Sequence, residues 1–296
     1  MTEPALDESA FDQHRSLLFT IAYELLGSVA DAEDVVQESY LRWTSRPDEI
    51  AVTNPRAYLA QITTRLSLNR LRTLARRREE YVGPWLPEPL LTVPDIADDV
   101  VLAESVSLAL LVVLESLGPK ERAVFLLREV FGYEHAEIAE ALGMNAAAVR
   151  QTAHRAKQHV AARRPRFEAD DQVARQVRER FTAAVVSGDV QGLMDLMAPD
   201  VVVLSDGGGR VRAARRPIQG ADAASRILVG IAHKAGPGLR LEEAMINGVP
   251  GWRAWDGDQL AAAVQLVIAD DLISQVLIMI NPDKFGGLDE PRTIAR

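Results

Sequence analysis

The sequence predicts three folded parts: two all-α domains, the second a helix-turn-helix, followed by an α+β domain. The chain has 296 residues, which is too long for one small helical module. Helical periodicity extends from about residue 11 to residue 164. Beyond residue 201, short apolar runs separated by Gly- and Asp-containing turns predict strands. We place the boundaries at residues 1–82 for the first helical domain, 83–105 for a Pro-containing linker, 106–166 for the helix-turn-helix domain and 170–296 for the α+β domain.

The helix-turn-helix prediction rests on residues 121–164. Ile138 and Leu142 are one helical turn apart and are expected to face a core. Gly143 can take the positive φ of a tight turn, and Asn145 can cap the next helix. That helix combines a small-residue apolar stripe with a cationic outer face, which suits insertion into the major groove of DNA. The alternative is a surface helix in an ordinary bundle. The outer face consists of Arg150, Gln151, His154, Arg155, Lys157 and Gln158.

The charge distribution indicates a DNA-binding protein that depends on a partner. The net charge is −9. Residues 84–119 carry six acidic residues and no Lys or Arg, whereas residues 120–169 carry nine basic and six acidic residues. Because attraction to phosphates needs a continuous positive field, we expect weak binding to free DNA.

The composition excludes several classes of protein. The chain has no Cys, so a disulfide framework, a thiolate metal site and a thiol redox sensor are ruled out. The acidic N-terminal stretch lacks the apolar segment of a signal peptide. The longest apolar run, residues 108–114, is far shorter than the roughly 20 residues of a membrane span. We expect a cytoplasmic protein with no membrane association, no metal and no cofactor.

The first helical domain is predicted to expose one apolar residue. A helix starting at Asp31 has acidic residues in its first turn and an apolar stripe. Leu41 lies on the opposite side, among Asp34, Gln37 and Glu38. A single exposed Leu is common, but one surrounded by polar residues also fits a partner-binding spot.

A second long helix is predicted to begin at Asn54 and Pro55, which supply a cap and a Pro at the first helical position. Its cations form a strip that includes Arg65, Arg72 and Arg76. The strip fits either a solvated helix end or a track for a DNA backbone.

These segments resemble a known family. GSVADAEDVVQESYLRW, NPRAYLAQITTRLSLNRLR and the helix-turn-helix occur in the order of region 2, a linker and region 4 of a bacterial extracytoplasmic-function (ECF) sigma factor. The resemblance covers about residues 10–165. It implies a non-enzymatic protein that directs core RNA polymerase to promoters and initiates transcription. Its implied partners are promoter DNA and the β′ coiled coil and β flap of the polymerase.

The resemblance also implies roles for three sets of residues. Docking on the β′ coiled coil is assigned to Asp34, Gln37, Glu38 and Leu41. Reading of the −10 element, with capture of a flipped base, is assigned to Asn54, Arg56, Arg65, Asn69, Arg72 and Arg76. Reading of the −35 element is assigned to Asn145, Arg150, Gln151, His154, Arg155 and Lys157. Many members have Asn in place of Arg65, and Arg and Leu in place of Thr152 and Ala153, so the promoter preference cannot be transferred.

Residues 170–296 extend beyond the end of most members. Helical patterns at residues 172–186, 190–197 and 221–235, combined with strand-like runs, predict helices with a curved antiparallel sheet. The pattern resembles the SnoaL-like, NTF2-like cone-shaped fold. The WLPEP, DGGGR and NPDK motifs are similar to those of the SigJ-like subgroup, which implies regulation in cis in place of an anti-sigma factor. The candidate interdomain residues are Trp85, Pro87, Glu88, Asp206, Gly207, Gly208, Arg210, Asn281, Asp283 and Lys284.

Two other functions remain open from the sequence. One is a one-component helix-turn-helix regulator whose C-terminal domain senses a small-molecule ligand in a cavity. The other is a SnoaL-type enzyme with a DNA-binding appendage. Asp195, Asp206 and His233 are candidate acid–base residues, but their spacing singles out none of them. The glycines after Asp206 are also a candidate anion-binding nest.

Overall fold

A computed structural model of the protein describes residues 3–47, 52–93, 100–163, 171–235 and 238–296. The chain forms two compact units. The helical unit consists of Met1–Glu80, Thr92–Arg163 and Glu290–Arg296. The C-terminal unit consists of Tyr81–Leu91 and Arg164–Asp289. The first part of the predicted linker is therefore a component of the C-terminal unit.

The helical unit contains a bundle of three long helices followed by a set of shorter ones. The long helices bury a core that includes Tyr23, Trp43 and Leu59. Ser28 caps the second helix by accepting a hydrogen bond from the Asp31 amide, so this helix begins two residues before the predicted start. The helices are α1 (Glu3–Leu26), α2 (Val29–Thr44), α3 (Pro55–Glu79), α4 (Val100–Val106), α5 (Leu108–Leu114), α6 (Pro119–Phe125), α7 (His135–Leu142) and α8 (Ala146–Arg163), and a π-helical segment, Leu126–Val130, continues α6.

The sequence of residues 98–117 predicts one helix that begins the second sigma region, and this prediction is wrong. Its start at Asp98 lies outside the described residues. The described part is divided at Ser107, whose hydroxyl caps α5 by accepting a hydrogen bond from the Leu110 amide at 3.2 Å. A side chain that accepts from a backbone amide offers the chain an alternative to helix continuation, and apolar periodicity does not report it.

The last seven residues of the chain belong to the helical unit. Arg292 forms an ion pair with Glu33, and its guanidinium lies 5.1 Å from the centre of the Phe19 ring. The Ala295 amide donates to the Thr20 hydroxyl at 3.1 Å. These contacts attach the C-terminal peptide to α1 and α2.

The helix-turn-helix has the predicted local chemistry. Gly143 ends α7 with a φ of 62°, which a residue with a Cβ adopts only at a cost. The Asn145 side-chain carbonyl then accepts a hydrogen bond from the Ala148 amide at 2.7 Å and caps α8. These two residues fix the angle between the helices.

The C-terminal unit is an α+β structure with a six-stranded sheet in the order β2-β1-β6-β5-β4-β3. The sheet is mixed rather than antiparallel as predicted, because β1 pairs with β6 in parallel. Such a pair needs a long crossover, which residues 207–271 supply. The elements are α9 (Asp171–Ser187), α10 (Val190–Met194), β1 (Met197–Asp206), β2 (Ile218–Gln219), α11 (Ala221–Ala235), β3 (Leu239–Ile246), β4 (Val249–Asp256), β5 (Gln259–Ala269) and β6 (Leu272–Met279).

Two features of this unit differ in detail from the sequence prediction. The helix predicted over residues 190–197 ends at Met194, and Met197 already belongs to β1. In the sequence, Asp270 and Asp271 separate two strand-like runs and predict a hairpin turn. The β5–β6 hairpin has this turn, and the two residues have φ values of 50° and 63°. Two successive positive φ values match the right-handed twist of the strands.

The core of the C-terminal unit lies between the sheet and its helices. Phe181 of α9 packs against Trp252 of β4 with ring centroids 5.6 Å apart. Leu228 of α11 joins the same buried cluster. Within the described ranges, no helix has the length and apolar character that crossing a membrane requires. In the same residues, no group of three or more His, Asp or Glu side chains is arranged to hold a metal ion.

Candidate nucleic-acid interface and linker clasp

Helix α8 presents a polar face outward and a small apolar face inward. Val149, Ala156 and Val160 are buried, which seats the helix against α6 and α7. Thr152 and Ala153, where the chain departs from many family members, are buried as well. They therefore contribute to the seat and not to the outer face. The predicted −35 residues Asn145, Arg150, Gln151, His154, Arg155 and Lys157 are all exposed.

Two of these cations have acidic neighbours. Lys157 pairs with Glu129 at 2.7 Å, and Arg155 lies 3.9 Å from Glu121. Exposed pairs of this kind contribute about 0–1 kcal/mol, so a DNA phosphate can replace the carboxylate at little cost. The polar face of α8 is therefore exposed, with its cations held only by weak ion pairs.

Helix α2 exposes the predicted partner-binding residue. Leu41 is 58% exposed, whereas Trp43 on the opposite side is buried. Asp34, Gln37 and Glu38 are exposed around Leu41. We call these four residues the α2 face. Asp34 pairs with Arg70 at 3.0 Å and Glu38 with Arg42 at 2.7 Å, which holds the carboxylates in place.

Two predicted −10 residues are already bound within the helical unit. The Arg65 guanidinium donates hydrogen bonds to the carbonyls of Ala141 at 2.7 Å and Glu140 at 2.9 Å. These carbonyls lie at the C-terminal end of α7, where the helix dipole favours a cation. Arg65 therefore joins the first bundle to the helix-turn-helix.

Arg56 makes a second connection of the same kind. It donates to the carbonyl of Phe131 at 3.3 Å and lies 4.8 Å from the centre of the Tyr133 ring. Burial raises the pKa of Tyr133 to about 12, so its hydroxyl stays protonated. Two of the six predicted −10 residues, Arg56 and Arg65, thus contact the helix-turn-helix domain in this structure.

The other predicted −10 residues lie along the same helix. The Asn54 side chain accepts a hydrogen bond from the Ala57 amide at 3.1 Å and caps the start of α3. Arg72 donates to Asn69 at 3.2 Å, and both are exposed. The side chain of Arg76 and loop residues 48–51 lie outside the described part of the chain.

A group of polar contacts surrounds Asp206, at the end of β1. Asp206 is 0% exposed. Its carboxylate accepts hydrogen bonds from the Tyr81 hydroxyl at 2.6 Å, the Leu86 amide at 2.8 Å and the Lys284 ammonium at 2.8 Å. A buried carboxylate needs such donors, because an unpaired one is strongly disfavoured.

Lys284 completes this arrangement. Its ammonium also donates to the Leu86 carbonyl at 2.6 Å and lies 4.2 Å from the centre of the Trp85 ring. Burial, followed by the hydrogen bond to Asp206, raises the pKa of Tyr81 well above its ordinary value. We call Tyr81, Trp85, Leu86, Asp206 and Lys284 the linker clasp, since it fastens linker residues to β1 and to the segment after β6.

The remaining motif residues surround the clasp. The Asn281 side-chain amide donates to the Tyr81 hydroxyl at 3.0 Å, and the exposed pair Arg210–Asp283 spans 2.8 Å. Pro87 is buried and Glu88 half-buried. Gly207 permits close backbone approach, because a Cβ there would lie 2.5 Å from the Val211 carbonyl oxygen. Gly208 has a φ of 57°, and its amide donates to Asp206 at 3.0 Å.

The structure thus brings all three motifs together inside one unit. Sequence reasoning missed Tyr81 and the Leu86 amide, since neither a Tyr outside a motif nor a backbone group has a sequence signal. It also named Asp195, Asp206 and His233 as candidate acid–base residues. Asp195 and His233 are exposed, and Asp206 is occupied by the clasp.

Comparison with known proteins gives a consistent result over nearly the whole chain. Residues 10–77 match Sigma-70 region 2, and residues 107–160 match Sigma-70, region 4. The chain is 39% identical to the ECF RNA polymerase sigma factor SigJ of Mycobacterium tuberculosis, over 95% of this chain and 94% of SigJ. It is 30% identical to a probable ECF sigma factor, SigI, of the same species, over 95% of each chain.

The crystal structure of M. tuberculosis SigJ is similar throughout. It matches with a TM-score of 0.75 and 36% identity, over 94% of this chain and 98% of that chain. Both the helical sigma regions and the C-terminal α+β extension fall within the match. The chain belongs to the extracytoplasmic-function RNA polymerase sigma factors, proteins that bind core RNA polymerase and direct it to promoters to initiate transcription.

Proposed function

We propose that the C-terminal domain restrains this sigma factor in cis, taking the role that a separate anti-sigma factor has elsewhere. The observation that carries the proposal is the linker clasp, which incorporates Tyr81–Leu91 into the C-terminal unit. These residues connect the two sigma regions in the chain. While the clasp holds Tyr81–Leu91, these residues cannot serve as free connecting chain between α3 and α4.

The clasp limits how far the two DNA-reading surfaces can separate. An extended chain spans at most about 3.3–3.6 Å per residue, so releasing the eleven residues Tyr81–Leu91 adds up to about 36–40 Å of reach. Arg56 and Arg65 are bound to the helix-turn-helix in the restrained state. On release they become available to promoter DNA.

The proposed interfaces follow the predicted residue sets. The α2 face docks on the β′ coiled coil of the polymerase, α3 reads the −10 element, and α8 reads the −35 element next to the β flap. The exposed α2 face supports docking without prior release, whereas the bound state of Arg56 and Arg65 supports −10 reading only after release. Because the polymerase is the partner, we expect the protein to act in the cytoplasm.

Leu41→Asp is expected to weaken binding to core polymerase about tenfold or more, because it replaces the apolar side chain of the α2 face with a charge. The variant should fold normally, since Leu41 is exposed. Titration of labelled core polymerase measures the affinity. Val186→Asp is the matched control, because Val186 is also exposed but lies on α9. Equal affinity of the wild type and Leu41→Asp contradicts the docking face.

Arg150→Ala and Arg155→Ala are each expected to weaken promoter binding by the holoenzyme. A base contact is worth about 1–3 kcal/mol and relaxes the preference at one position. Loss of a phosphate contact instead weakens binding to all sequences alike, and it lowers the slope of log affinity against log salt concentration by about one. Competition between promoter variants at two salt concentrations separates these cases. Full promoter affinity in both variants contradicts the assignment of α8.

Spin-label distances test the restraint directly. The chain has no native Cys, so labels at Thr73→Cys on α3 and Gln158→Cys on α8 report only this pair. Both positions are exposed. We expect one short distance in the free protein and a longer one in the complex with core polymerase. Breaking the clasp with Lys284→Met should add the longer distance in the free protein. An unchanged distribution in all three samples contradicts the proposal.

A further inference from the structure

The C-terminal unit contains a cavity of about 640 Å³. It lies between α9, α11 and the sheet, and its walls include Phe181, Leu228, Leu241, Ala254 and Val264. A space of this size and apolar character falls in the range that small organic ligands occupy in proteins. It is separate from the DNA-reading residues.

The opening of the cavity combines exposed apolar side chains with cations. Val211 and Ile231 line it and are 44% and 51% exposed, which is unusual for large apolar side chains. Arg212 and Lys234 also line it and are exposed, as does one acidic residue, Asp256. The wall therefore carries one more positive than negative side chain. A ligand that fits both the apolar interior and the cationic opening has an apolar body and an anionic group.

We propose that this cavity binds an amphipathic carboxylate and that its occupation loosens the linker clasp. The apolar chain fills the interior, and the carboxylate contacts Arg212 and Lys234. The coupling to transcription rests on the restraint in cis proposed above. The competing occupant is a neutral apolar molecule, which would make no charge-assisted contact with Arg212 or Lys234.

Strand β1 connects the cavity to the clasp. Val203 and Ser205 line the cavity, and the next residue, Asp206, binds the linker. Successive side chains of a strand point to opposite faces, so cavity and clasp lie on the two sides of one strand end. A shift of this strand end changes both.

The loop after β1 makes a second connection. Val211 and Ala214 line the cavity. On the linker side, the Ala214 carbonyl oxygen lies 3.7 Å from the Cβ position of Gly83. The Val211 amide donates a hydrogen bond to the Gly207 carbonyl at 3.1 Å. An outward displacement of residues 211–214 therefore pulls on Gly207, the residue next to Asp206.

The binding test compares dodecanoate with dodecanol. The two have the same alkyl chain, and dodecanol has a neutral hydroxymethyl group in place of the carboxylate. Titration calorimetry of the full-length protein is expected to show dodecanoate binding at least about tenfold tighter, as expected for charge-assisted contacts. Arg212→Ala/Lys234→Ala should remove this preference and leave dodecanol binding within twofold. Arg216→Ala is the matched control, because Arg216 is an exposed residue of the same loop that does not line the cavity. Ala232→Phe, which fills the cavity from α11, should abolish binding of both ligands.

The coupling test measures hydrogen exchange at the Leu86 amide, which donates to Asp206. Saturating dodecanoate is expected to accelerate this exchange at least threefold in the wild type and to leave it unchanged in Ala232→Phe. Exchange at the Ala148 amide in the helix-turn-helix is the internal control.

Each outcome bears on the inference. Equal affinity for dodecanoate and dodecanol, or no binding of either, overturns the ligand class. Binding without a change at Leu86 overturns the coupling. The two measurements report on the cavity and on the clasp alone. Their results therefore do not depend on whether the clasp restrains the sigma regions. If Lys284→Met lengthens the spin-label distance while dodecanoate fails to bind, the restraint stands and this inference alone falls.

Discussion

Lys284→Met is expected to lower the free energy of unfolding of the C-terminal unit by about 3–5 kcal/mol, the cost of removing one partner of a buried ion pair. The Asp206 carboxylate is fully buried, and the Lys284 side chain is 8% exposed. The variant leaves the carboxylate with the Tyr81 hydroxyl and two backbone amides, Leu86 and Gly208, but no cation. It also leaves the Leu86 carbonyl without its ammonium donor.

Chemical denaturation of the full-length protein measures this effect. Trp252, which is buried in the core of the C-terminal unit, contributes to the fluorescence signal. The matched control is Arg210→Met. It breaks the neighbouring Arg210–Asp283 pair, whose side chains are exposed, and should cost less than about 1 kcal/mol. Equal losses in the two variants contradict a stabilising role for the buried pair.

Glu24→Gln is expected to remove most of the pH dependence of the stability of the helical unit between pH 4.5 and 8. Glu24 is buried on α1, and burial raises the pKa of its carboxyl from 4.5 to about 8. Ser105 donates a hydrogen bond to Oε1 at 2.7 Å, whereas Oε2 has no hydrogen-bond partner among the described residues. The folded protein therefore favours the protonated acid.

The direction of the pH effect follows from proton linkage. Below pH 4.5 the carboxyl is protonated in both states, and its contribution to stability is fully present. Between pH 4.5 and 8 the unfolded chain releases the proton while the folded chain keeps it, so stability falls as the pH rises. The fall amounts to about 5 kcal/mol at most, from the difference between the two pKa values.

Denaturation midpoints at pH 5 and pH 8 measure this fall. The wild type should lose stability between the two pH values, and Glu24→Gln should lose much less. Glu38→Gln, which changes an exposed carboxylate on α2, is the control and should follow the wild type. An identical loss in Glu24→Gln and the wild type would falsify the role of Glu24.

Local chemistry predicted the elements that depend on neighbouring residues. Helix α11 has the predicted bounds, Ala221–Ala235. The Gly143 turn, the Asn145 cap and the Asp270–Asp271 hairpin also agree, because each depends on the preferred φ or the side-chain hydrogen bond of one or two residues. The parallel pairing of β1 with β6 was not predicted, because it joins segments about seventy residues apart.

In the candidate sites, too, features set by neighbouring residues could be predicted and long-range contacts could not. The exposure of Leu41 follows from helical periodicity alone, and the structure agrees. A Trp in a Pro-rich linker is expected to dock on a domain, because its large ring is costly to leave in water. Trp85 does so and lies against Lys284. The partner of Arg65 could not be predicted, since its acceptors are backbone carbonyls about 75 residues away. Charge patterning identified Arg65 as a candidate DNA contact but could not show that α7 holds it.

Point variants test the C-terminal domain more cleanly than truncation near residue 166. Truncation would also remove residues 290–296, whose Arg292 and Ala295 contact α1 and α2 inside the helical unit. A change in activity would then have two causes. Lys284→Met and its control Arg210→Met leave this peptide in place.

Transcription of fragmented host DNA in vitro, with start sites mapped by sequencing the 5′ ends, tests the central claim most directly. Core polymerase with the full-length protein is expected to give a discrete set of start sites, preceded by a common −35 and −10 pair, that core polymerase alone does not give. Lys284→Met should raise the yield from the same start sites several-fold, and Arg210→Met should not. If neither protein adds start sites, the sigma-factor account fails. If Lys284→Met and the wild type give equal yields, the restraint in cis fails.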